Sequence, residues 1–130
     1  MIKKTVSEFG RLDAPFNNSG IQIPANDFAE ISAESFDRVT AINLRGVWAC
    51  MKHELIQMNK QNSGAIVTNS SIGGIHGGAQ LAAYHATKHG VLGLTHRAGK
   101  EFTSRGIRVN AICHVFASMP SAPAQQILQW

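Results

Sequence analysis

Residues 71–88 read SIGGIHGGAQLAAYHATK, and the rest of the chain can be organised around this stretch. It leaves an apolar run, crosses a glycine-rich segment and enters a sequence of helical character. Tyr84 and Lys88 are four residues apart, a spacing that places both side chains on one face of a helix. Ser71 follows a predicted strand, and open parallel sheets bind ligands beyond the carboxyl ends of their strands. The stretch therefore predicts that a hydroxyl, a phenol and an ammonium group meet at one point.

The segments on either side of this stretch alternate between helical and strand-like patterns. In chain order we predict a helix over 1–11 that stops at Gly10, a strand over 12–16, a turn over 17–20, a loop over 21–31, a long helix from Ser32 that closes within 59–64, a strand over 65–68, a second long helix over 81–105 and a strand over 107–113. A final turn over 124–130 is also predicted. Pro15 lacks a backbone donor, which favours a sheet edge for the first strand. This alternation predicts an α/β fold with a parallel sheet.

The direction of the crossovers limits how that sheet is covered. Both crossovers are expected to be right-handed, so the two long helices should lie on the same face. The strand over 65–68 is continuously apolar, a pattern typical of burial on both faces. One layer of helices cannot bury all of Ile66, Val67, Val109 and Ile112. We therefore predict a partial doubly wound sheet of about three strands with helices mainly on one face.

Composition restricts the class of protein. A chain of 130 residues with 44% hydrophobic and 15% charged residues is expected to form a single globular domain over 1–130. The net charge is +4, but no basic stripe alternates with aromatics, so neither a nucleic-acid nor a membrane partner is predicted. Cys50 and Cys113 lack CxxC spacing and are expected to be buried thiols. With no leader-like apolar segment after Lys3 and Lys4, the predicted location is the cytoplasm.

Five sequence blocks within residues 6–113 resemble the short-chain dehydrogenase/reductase family, in particular its glucose-dehydrogenase-like members. In order, they are LDAPFNNSGI, FDRVTAINLRGVWACMKHEL, GAIVTNSSIGGI, AAYHATKHGVLGLT and GIRVNAIC. The resemblance implies a Rossmann-type fold and a nicotinamide cofactor, either NAD or NADP. It also implies hydride transfer between that cofactor and a small-molecule carbonyl compound or secondary alcohol.

The resemblance implies catalytic roles for four side chains. Tyr84 is similar to the family's catalytic acid/base, and Lys88 to the lysine that activates the tyrosine and binds the nicotinamide ribose. Ser71 lies thirteen residues before Tyr84 and resembles the serine that orients the substrate oxygen. Asn43 resembles the asparagine that supports a water relay. Tyr84 and Lys88 are thus expected to serve both catalysis and cofactor binding.

The resemblance also implies a cofactor-binding turn, and it has limits. Residues 17–20 match a turn that borders the adenosine side of the cofactor, so Asn17 and Gly20 are expected beside it. The family's first strand and TGxxxGxG phosphate-binding turn have no counterpart here, so we expect a domain truncated at both ends. His114 and Val115 stand where the family has Pro-Gly, and a Cβ at 115 is expected to crowd the nicotinamide pocket.

Several alternatives remain open at this level. One alternative is that Tyr84 is only a partly buried tyrosine and Lys88 only a solvated lysine, with no catalytic role for either. Another is that Ser71, which has Ser70 as a neighbour, only caps the end of a strand. The alternative for Asn43 is that it caps its helix or hydrogen-bonds the helix backbone. His85 and His89 have i, i+4 spacing, but surface positions are favoured and no metal site is predicted. The functional alternative is an inactive fragment that serves as an interaction module, or a partial gene product. The helices that carry Asn43 and Tyr84 are candidates for a homo-oligomer interface.

Overall fold

The computed structural model describes residues 1–115, in which helices and strands alternate. The regular elements are α1 (Ile2–Phe9), β1 (Phe16–Asn17), α2 (Ala33–Thr40), α3 (Val47–Gln61), β2 (Gly64–Asn69), α4 (Ala82–Phe102) and β3 (Ile107–Ile112). A π-helical stretch, Ala41–Gly46, joins α2 to α3, and short 3-10 helices occupy Phe28–Glu30, Ile72–Gly74 and Thr103–Arg105. The alternation confirms the predicted α/β fold. The turn predicted over 124–130 lies outside the described residues.

The strands form a parallel sheet in the order β1-β2-β3. β1 lies at one edge, as Pro15 predicted. Regular pairing begins later than the predicted strand over 12–16, because Pro15 has no N–H to donate. The carbonyl groups of Asp13 and Pro15 nevertheless accept hydrogen bonds from Ala65 and Val67 of β2, at 2.9 and 3.1 Å. The segment over 13–15 therefore runs alongside β2 before regular pairing between β1 and β2 begins.

The helices cover one face of this sheet. Ile66 and Thr68 of β2 are fully buried, and Val109, which pairs with Ile66, is buried on the same face. On the opposite face Val67 is only half-buried and Ile112 is 49% exposed. The structure thus confirms that both long helices lie on one side. As predicted, one layer of helices does not bury both faces of the second strand, since no second layer covers its alternate side chains within residues 1–115.

The core lies between this face and the inward sides of α3 and α4. Its buried members are apolar, and they are Val47, Met51, Leu55, Met58, Ile66, Val91, Ala98, Ile107 and Val109. Burial of such side chains is the main favourable contribution to folding. The core fixes α4 above β2 and β3, so the first turn of α4 lies at the carboxyl ends of the strands.

The long helix predicted from Ser32 begins as expected but is interrupted. The Ser32 Oγ accepts a hydrogen bond from the Ser35 N–H at 3.2 Å and caps α2. The π-helical stretch that follows contains Asn43 and was not predicted. An inserted residue in the hydrogen-bond ladder leaves little trace in the spacing of apolar side chains. The helix ends at Asn62, which has a left-handed backbone with φ of 52°.

Two further predictions concern the ends and the thiols. Helix α1 stops at Gly10, whose φ of 79° confirms the predicted C-terminal glycine. Cys50 and Cys113 are free but half-buried, so the expectation that both are buried is wrong. Among residues 1–115, no helix combines the length and the apolarity needed to cross a bilayer.

Candidate active site

The first turns of α4 carry the predicted tyrosine and lysine together. The Lys88 Nζ lies 5.5 Å from the centroid of the Tyr84 ring, so the two side chains share one helix face as their spacing predicted. Lys88 is only 5% exposed, whereas Tyr84 is half-buried. Burial disfavours the charged form and lowers the pKa of the Lys88 amine. The solvated lysine that the sequence left open as an alternative is therefore wrong.

Two hydrogen bonds attach Lys88 to the carboxyl end of β2. Its Nζ donates to the backbone carbonyl of Asn69 at 2.8 Å. Its own carbonyl accepts from the Ser70 Oγ at 3.0 Å. An ammonium has three N–H donors, and Asn69 accepts from one of them. Lys88 is thus held at the strand end with the capacity to donate to a ligand.

The adjacent serines, Ser70 and Ser71, have different environments. Ser70 is fully buried and its hydroxyl bonds the α4 backbone, which gives it a structural role. Ser71 is 4% exposed and its Oγ accepts from the Gly73 N–H at 3.1 Å, capping the short 3-10 helix. This contact occupies an acceptor site of Ser71 and leaves its O–H as a donor. The cap and an orienting role for a substrate oxygen are therefore chemically compatible.

Asn43 connects the long helix to the loop that follows β1. Its side chain is 1% exposed and makes paired bonds to Ile21, accepting from the N–H and donating to the carbonyl, each at 2.8 Å. The side chain therefore bonds a neighbouring loop rather than the backbone of its own helix. Asn43 lies in the π-helical stretch, and such stretches occur often at functional sites.

The residues of the predicted cofactor turn have separate surroundings. A Cβ at Gly20 would lie 3.3 Å from the Asn43 Oδ1 and 3.8 Å from the Lys88 Nζ. Gly20 is therefore beside the Lys88 cluster. The Asn17 Nδ2 instead donates to the Glu54 Oε2 of α3 at 2.9 Å. The structure thus places Gly20 close to Lys88 and connects Asn17 to the helix layer.

Asn69 joins the carboxyl ends of all three strands, and the sequence reasoning missed it. Its Nδ2 donates to the Asn18 Oδ1 at 2.6 Å, just beyond β1. Its Oδ1 lies 3.1 Å from the His114 Nδ1, just beyond β3. A signal was present, because polar residues that end successive parallel strands meet at the same sheet edge. Val115, beside His114, is 64% exposed.

Glu54 is, like Lys88, a buried ionisable residue, and its partner was not predicted from the sequence. It is 2% exposed and pairs with the Asn17 amide. Burial raises the pKa of its carboxyl group, and the hydrogen bond from Asn17 opposes part of that rise. The pair lies beneath the edge strand and fixes β1 to α3.

The two helical histidines do not face one another as a ligand pair. The His85 Nδ1 accepts a hydrogen bond from the Gly78 N–H at 3.1 Å. The His89 Nδ1 lies 2.9 Å from the backbone carbonyl of His85. Within residues 1–115, no group of three or more histidine, cysteine or acidic side chains is arranged to hold a metal.

Comparison with known proteins identifies the family. A family profile described as enoyl-(acyl carrier protein) reductase matches residues 1–127. The chain belongs to the short-chain dehydrogenase/reductase family. Among its relatives, levodione reductase of Leifsonia aquatica is 43% identical over 111 residues, which are 85% of this chain and 42% of that protein. The 3-oxoacyl-(acyl-carrier-protein) reductase FabG of Staphylococcus aureus strain Mu50 is 45% identical over 116 residues, 89% of this chain and 47% of FabG.

Solved structures of the same family have the same fold. The crystal structure of levodione reductase superposes with a TM-score of 0.85 at 43% identity and covers 86% of this chain and 43% of its own. NAD⁺-bound xylitol dehydrogenase gives a TM-score of 0.84 at 35% identity, with coverages of 86% and 43%. ElxO with NADP bound gives 0.83 at 41% identity, with coverages of 86% and 45%. These matches confirm the Rossmann-type fold and show a nicotinamide cofactor in the family. The chain spans about half the length of the curated relatives it matches, 42 to 47%.

Proposed function

We propose that this chain carries the proton-transfer part of a NAD(P)-dependent oxidoreductase that interconverts a carbonyl compound and a secondary alcohol. The observation that carries the proposal is the Lys88 Nζ held 5.5 Å from the Tyr84 ring at the carboxyl end of β2. Family membership supports the same chemistry. The alternative of an inactive interaction module is not favoured, because the relatives that the chain resembles are oxidoreductases.

Tyr84 has the chemistry required for proton transfer. In the reductive direction its phenol donates a proton to the carbonyl oxygen, and in the oxidative direction its phenolate accepts one from the alcohol. A phenol in water ionises near pH 10, so an unassisted tyrosine is a weak base at neutral pH. In this proposal the Lys88 ammonium, 5.5 Å from the centroid of the Tyr84 ring, stabilises the negative charge on the oxygen that accepts the proton.

Ser71 and Asn43 have supporting roles in this proposal. The Ser71 O–H donates to the substrate oxygen and holds it within reach of Tyr84. Asn43 fixes the loop at Ile21 through its two 2.8 Å bonds and so keeps Gly20 beside Lys88. The π-helical turn around Asn43 also interrupts the regular ladder, which suits the proposed water relay.

NAD or NADP would bind at the carboxyl edge of the sheet. Lys88 and Tyr84 fit the nicotinamide ribose, because the ammonium retains donor capacity beyond its bond to Asn69. Gly20 suits a close approach of the cofactor because it has no side chain, and residues 17–20 would border the adenosine side. When bound, the cofactor supplies or accepts the hydride.

The experiment measures oxidation of NADH, NADPH and reduced nicotinamide mononucleotide in the presence of a cyclic diketone and a 3-oxoacyl thioester. These substrates are chosen after the names of levodione reductase and of the 3-oxoacyl-(acyl-carrier-protein) reductase FabG. The mononucleotide presents the nicotinamide ribose without the adenosine half. We expect ketone-dependent oxidation that Lys88→Met abolishes and that Lys100→Met, a change at an exposed lysine of the same helix, preserves. Absence of such oxidation, or equal rates in the two variants, would contradict the proposal.

We also propose that two copies of the chain associate through α3 and α4. A groove of about 510 Å³ runs between these helices. Trp48, 47% exposed, lines it together with Leu94 and Phe102, and Arg97 and Glu101 border it. An apolar groove with a charged rim is typical of a protein–protein interface.

A further inference from the structure

The loop over 75–80 connects the segment that bears Ser71 to the helix that bears Tyr84. All six of its residues are exposed, and Gln80 has a left-handed backbone with φ of 69°. The N–H groups of Ile75 and His76 hold its start by donating to the Ile72 carbonyl, at 3.0 and 2.9 Å, and two further hydrogen bonds hold the rest. The Gly78 N–H donates to the His85 Nδ1 at 3.1 Å, and the Asn26 N–H donates to the Gln80 carbonyl at 3.2 Å. A loop with so little burial depends strongly on these few contacts for its position.

The His85 ring also fills the space between two glycines of this region. A Cβ at Gly73 would lie 2.5 Å from the His85 Cδ2, and a Cβ at Gly78 would lie 2.9 Å from its Cε1. On its other side the ring meets Tyr84 edge-on, with centroids 6.1 Å apart and an interplanar angle of 61°. His85 therefore packs against the loop and Tyr84 at the same time.

The loop forms one wall of a pocket near the start of α4. The pocket has a volume of about 290 Å³. Its walls come from 78–80 and Ala82 on one side and from Asn26, Asp27 and Phe28 on the other. Ala82 lies in the first turn of α4, the helix that also carries Tyr84. Any displacement of the loop at Gly78 changes the shape of this pocket.

We propose that His85 is a positioning residue that holds the loop over 75–80 against α4 and thereby sets the shape of the pocket between this loop and residues 26–28, where a substituent of the ketone substrate binds. The part of this proposal that concerns the substrate rests on the proposed oxidoreductase function. Its volume of about 290 Å³ exceeds that of a methyl group, and its lining combines the exposed aromatic side chain of Phe28 with the polar residues Asn26, Asp27 and Gln80. The substituent recognised is thus larger than a methyl group and carries an apolar surface.

The first test needs no catalysis, since it measures hydrogen exchange of the Gly78 amide by NMR in the full chain. His85→Phe keeps a ring but removes the acceptor, and His85→Asn keeps an acceptor near the Nδ1 position. We expect Gly78 to exchange about tenfold faster in His85→Phe, the effect of losing one hydrogen bond. His85→Asn should remain close to the wild type. His96→Phe, a change at an exposed residue of the same helix, is the matched control. Equal exchange in the wild type and His85→Phe would overturn the proposed positioning role.

The second test compares a bulky cyclic ketone with butanone as substrates. In His85→Phe we expect KM for the bulky ketone to rise about five- to tenfold, with kcat nearly unchanged, because binding and not proton transfer is affected. KM for butanone should change little, and His85→Asn should restore KM for the bulky ketone. Unchanged selectivity in His85→Phe would overturn the substrate part even if Gly78 exchange increased. Failure of the proposed function is distinguishable, because all variants would then lack turnover while the Gly78 exchange would still decide the positioning role.

Discussion

At the residue scale, Lys88 and Glu54 are nearly fully buried ionisable side chains of opposite charge. Each has a recorded hydrogen-bond partner, the Asn69 carbonyl for Lys88 and the Asn17 amide for Glu54. Burial lowers the pKa of Lys88 and raises that of Glu54, because water stabilises the charged form in both cases. A charge kept at such a position opposes folding at neutral pH. For Lys88, the proposed catalytic role accounts for a buried charge that disfavours folding. For Glu54, the contact with Asn17 is structural.

The first prediction concerns Glu54→Gln. Because the folded-state pKa of Glu54 is raised, its contribution to stability is present below the unfolded-state pKa and is lost as pH rises through the folded-state pKa. Glutamine keeps an acceptor for Asn17 and has no charge. We therefore expect Glu54→Gln to increase the free energy of unfolding near pH 7, and the gain to shrink as pH falls toward the ordinary carboxyl range. Urea unfolding at several pH values measures this, with Glu8→Gln on exposed α1 as the control. A gain that is independent of pH would contradict the prediction.

At the scale of elements, the close approach of α4 to the segment after β2 positions the site. A Cβ at Gly74 would collide with the Ser70 Oγ and would lie 2.8 Å from the Lys88 carbonyl oxygen. Both obstacles are fixed, since the Ser70 hydroxyl bonds that same carbonyl. The absence of a side chain at Gly74 is thus a condition for placing Lys88 at the strand end.

The second prediction is that Gly74→Ala destabilises the fold by about 1–3 kcal/mol, the usual effect of overpacking a site that cannot relax. The matched control is Gly77→Ala, because a Cβ at Gly77 meets nothing within 4 Å and its φ is not positive. Thermal and urea unfolding of both variants provide the measurement. Equal stability of the two variants would show that α4 can move away from Gly74 without loss.

An element can be predicted from the sequence when the interactions that form it involve residues close together in the chain. The cap at Ser32 and the stop at Gly10 depend on a few adjacent residues, and both were predicted. The π-helical turn around Asn43 and the Asn18–Asn69–His114 bonds depend on contacts between distant segments. Spacing within one element cannot reveal such contacts. Tyr84 and Lys88 were found because one helix carries both, whereas the role of His85 required the path of the loop over 75–80.

At the scale of the whole molecule, helices cover one face of the sheet and leave Ile112 and Phe16 49% and 55% exposed. The prediction of a partly uncovered sheet came from the handedness of crossovers, a rule that holds for parallel sheets in general. The groove between α3 and α4 is on the outer side of the helix layer. Association there would bury apolar surface that includes Trp48.

The third prediction is that Trp48→Glu shifts the chain from dimer to monomer. A carboxylate in place of an aromatic anchor would be costly to desolvate at an apolar interface. Sedimentation velocity measures the effect, and Phe9→Glu is the control because Phe9 is 70% exposed on α1, outside the groove. A dimer that survives Trp48→Glu, or a monomeric wild type, would contradict association through this groove.

The most direct measurement of the central claim, that Tyr84 transfers the proton, is the ketone-reduction kinetics of Tyr84→Phe. Tyr84 is the only tyrosine of the chain, so no other phenol can replace it. We expect kcat to fall by about 10²–10⁴, the usual contribution of general acid catalysis, while the dissociation constant of the nicotinamide cofactor changes little. Phe9→Leu, a change at an exposed aromatic of α1 away from the site and the groove, should keep wild-type kcat. Turnover in Tyr84→Phe comparable with the wild type would contradict the claim.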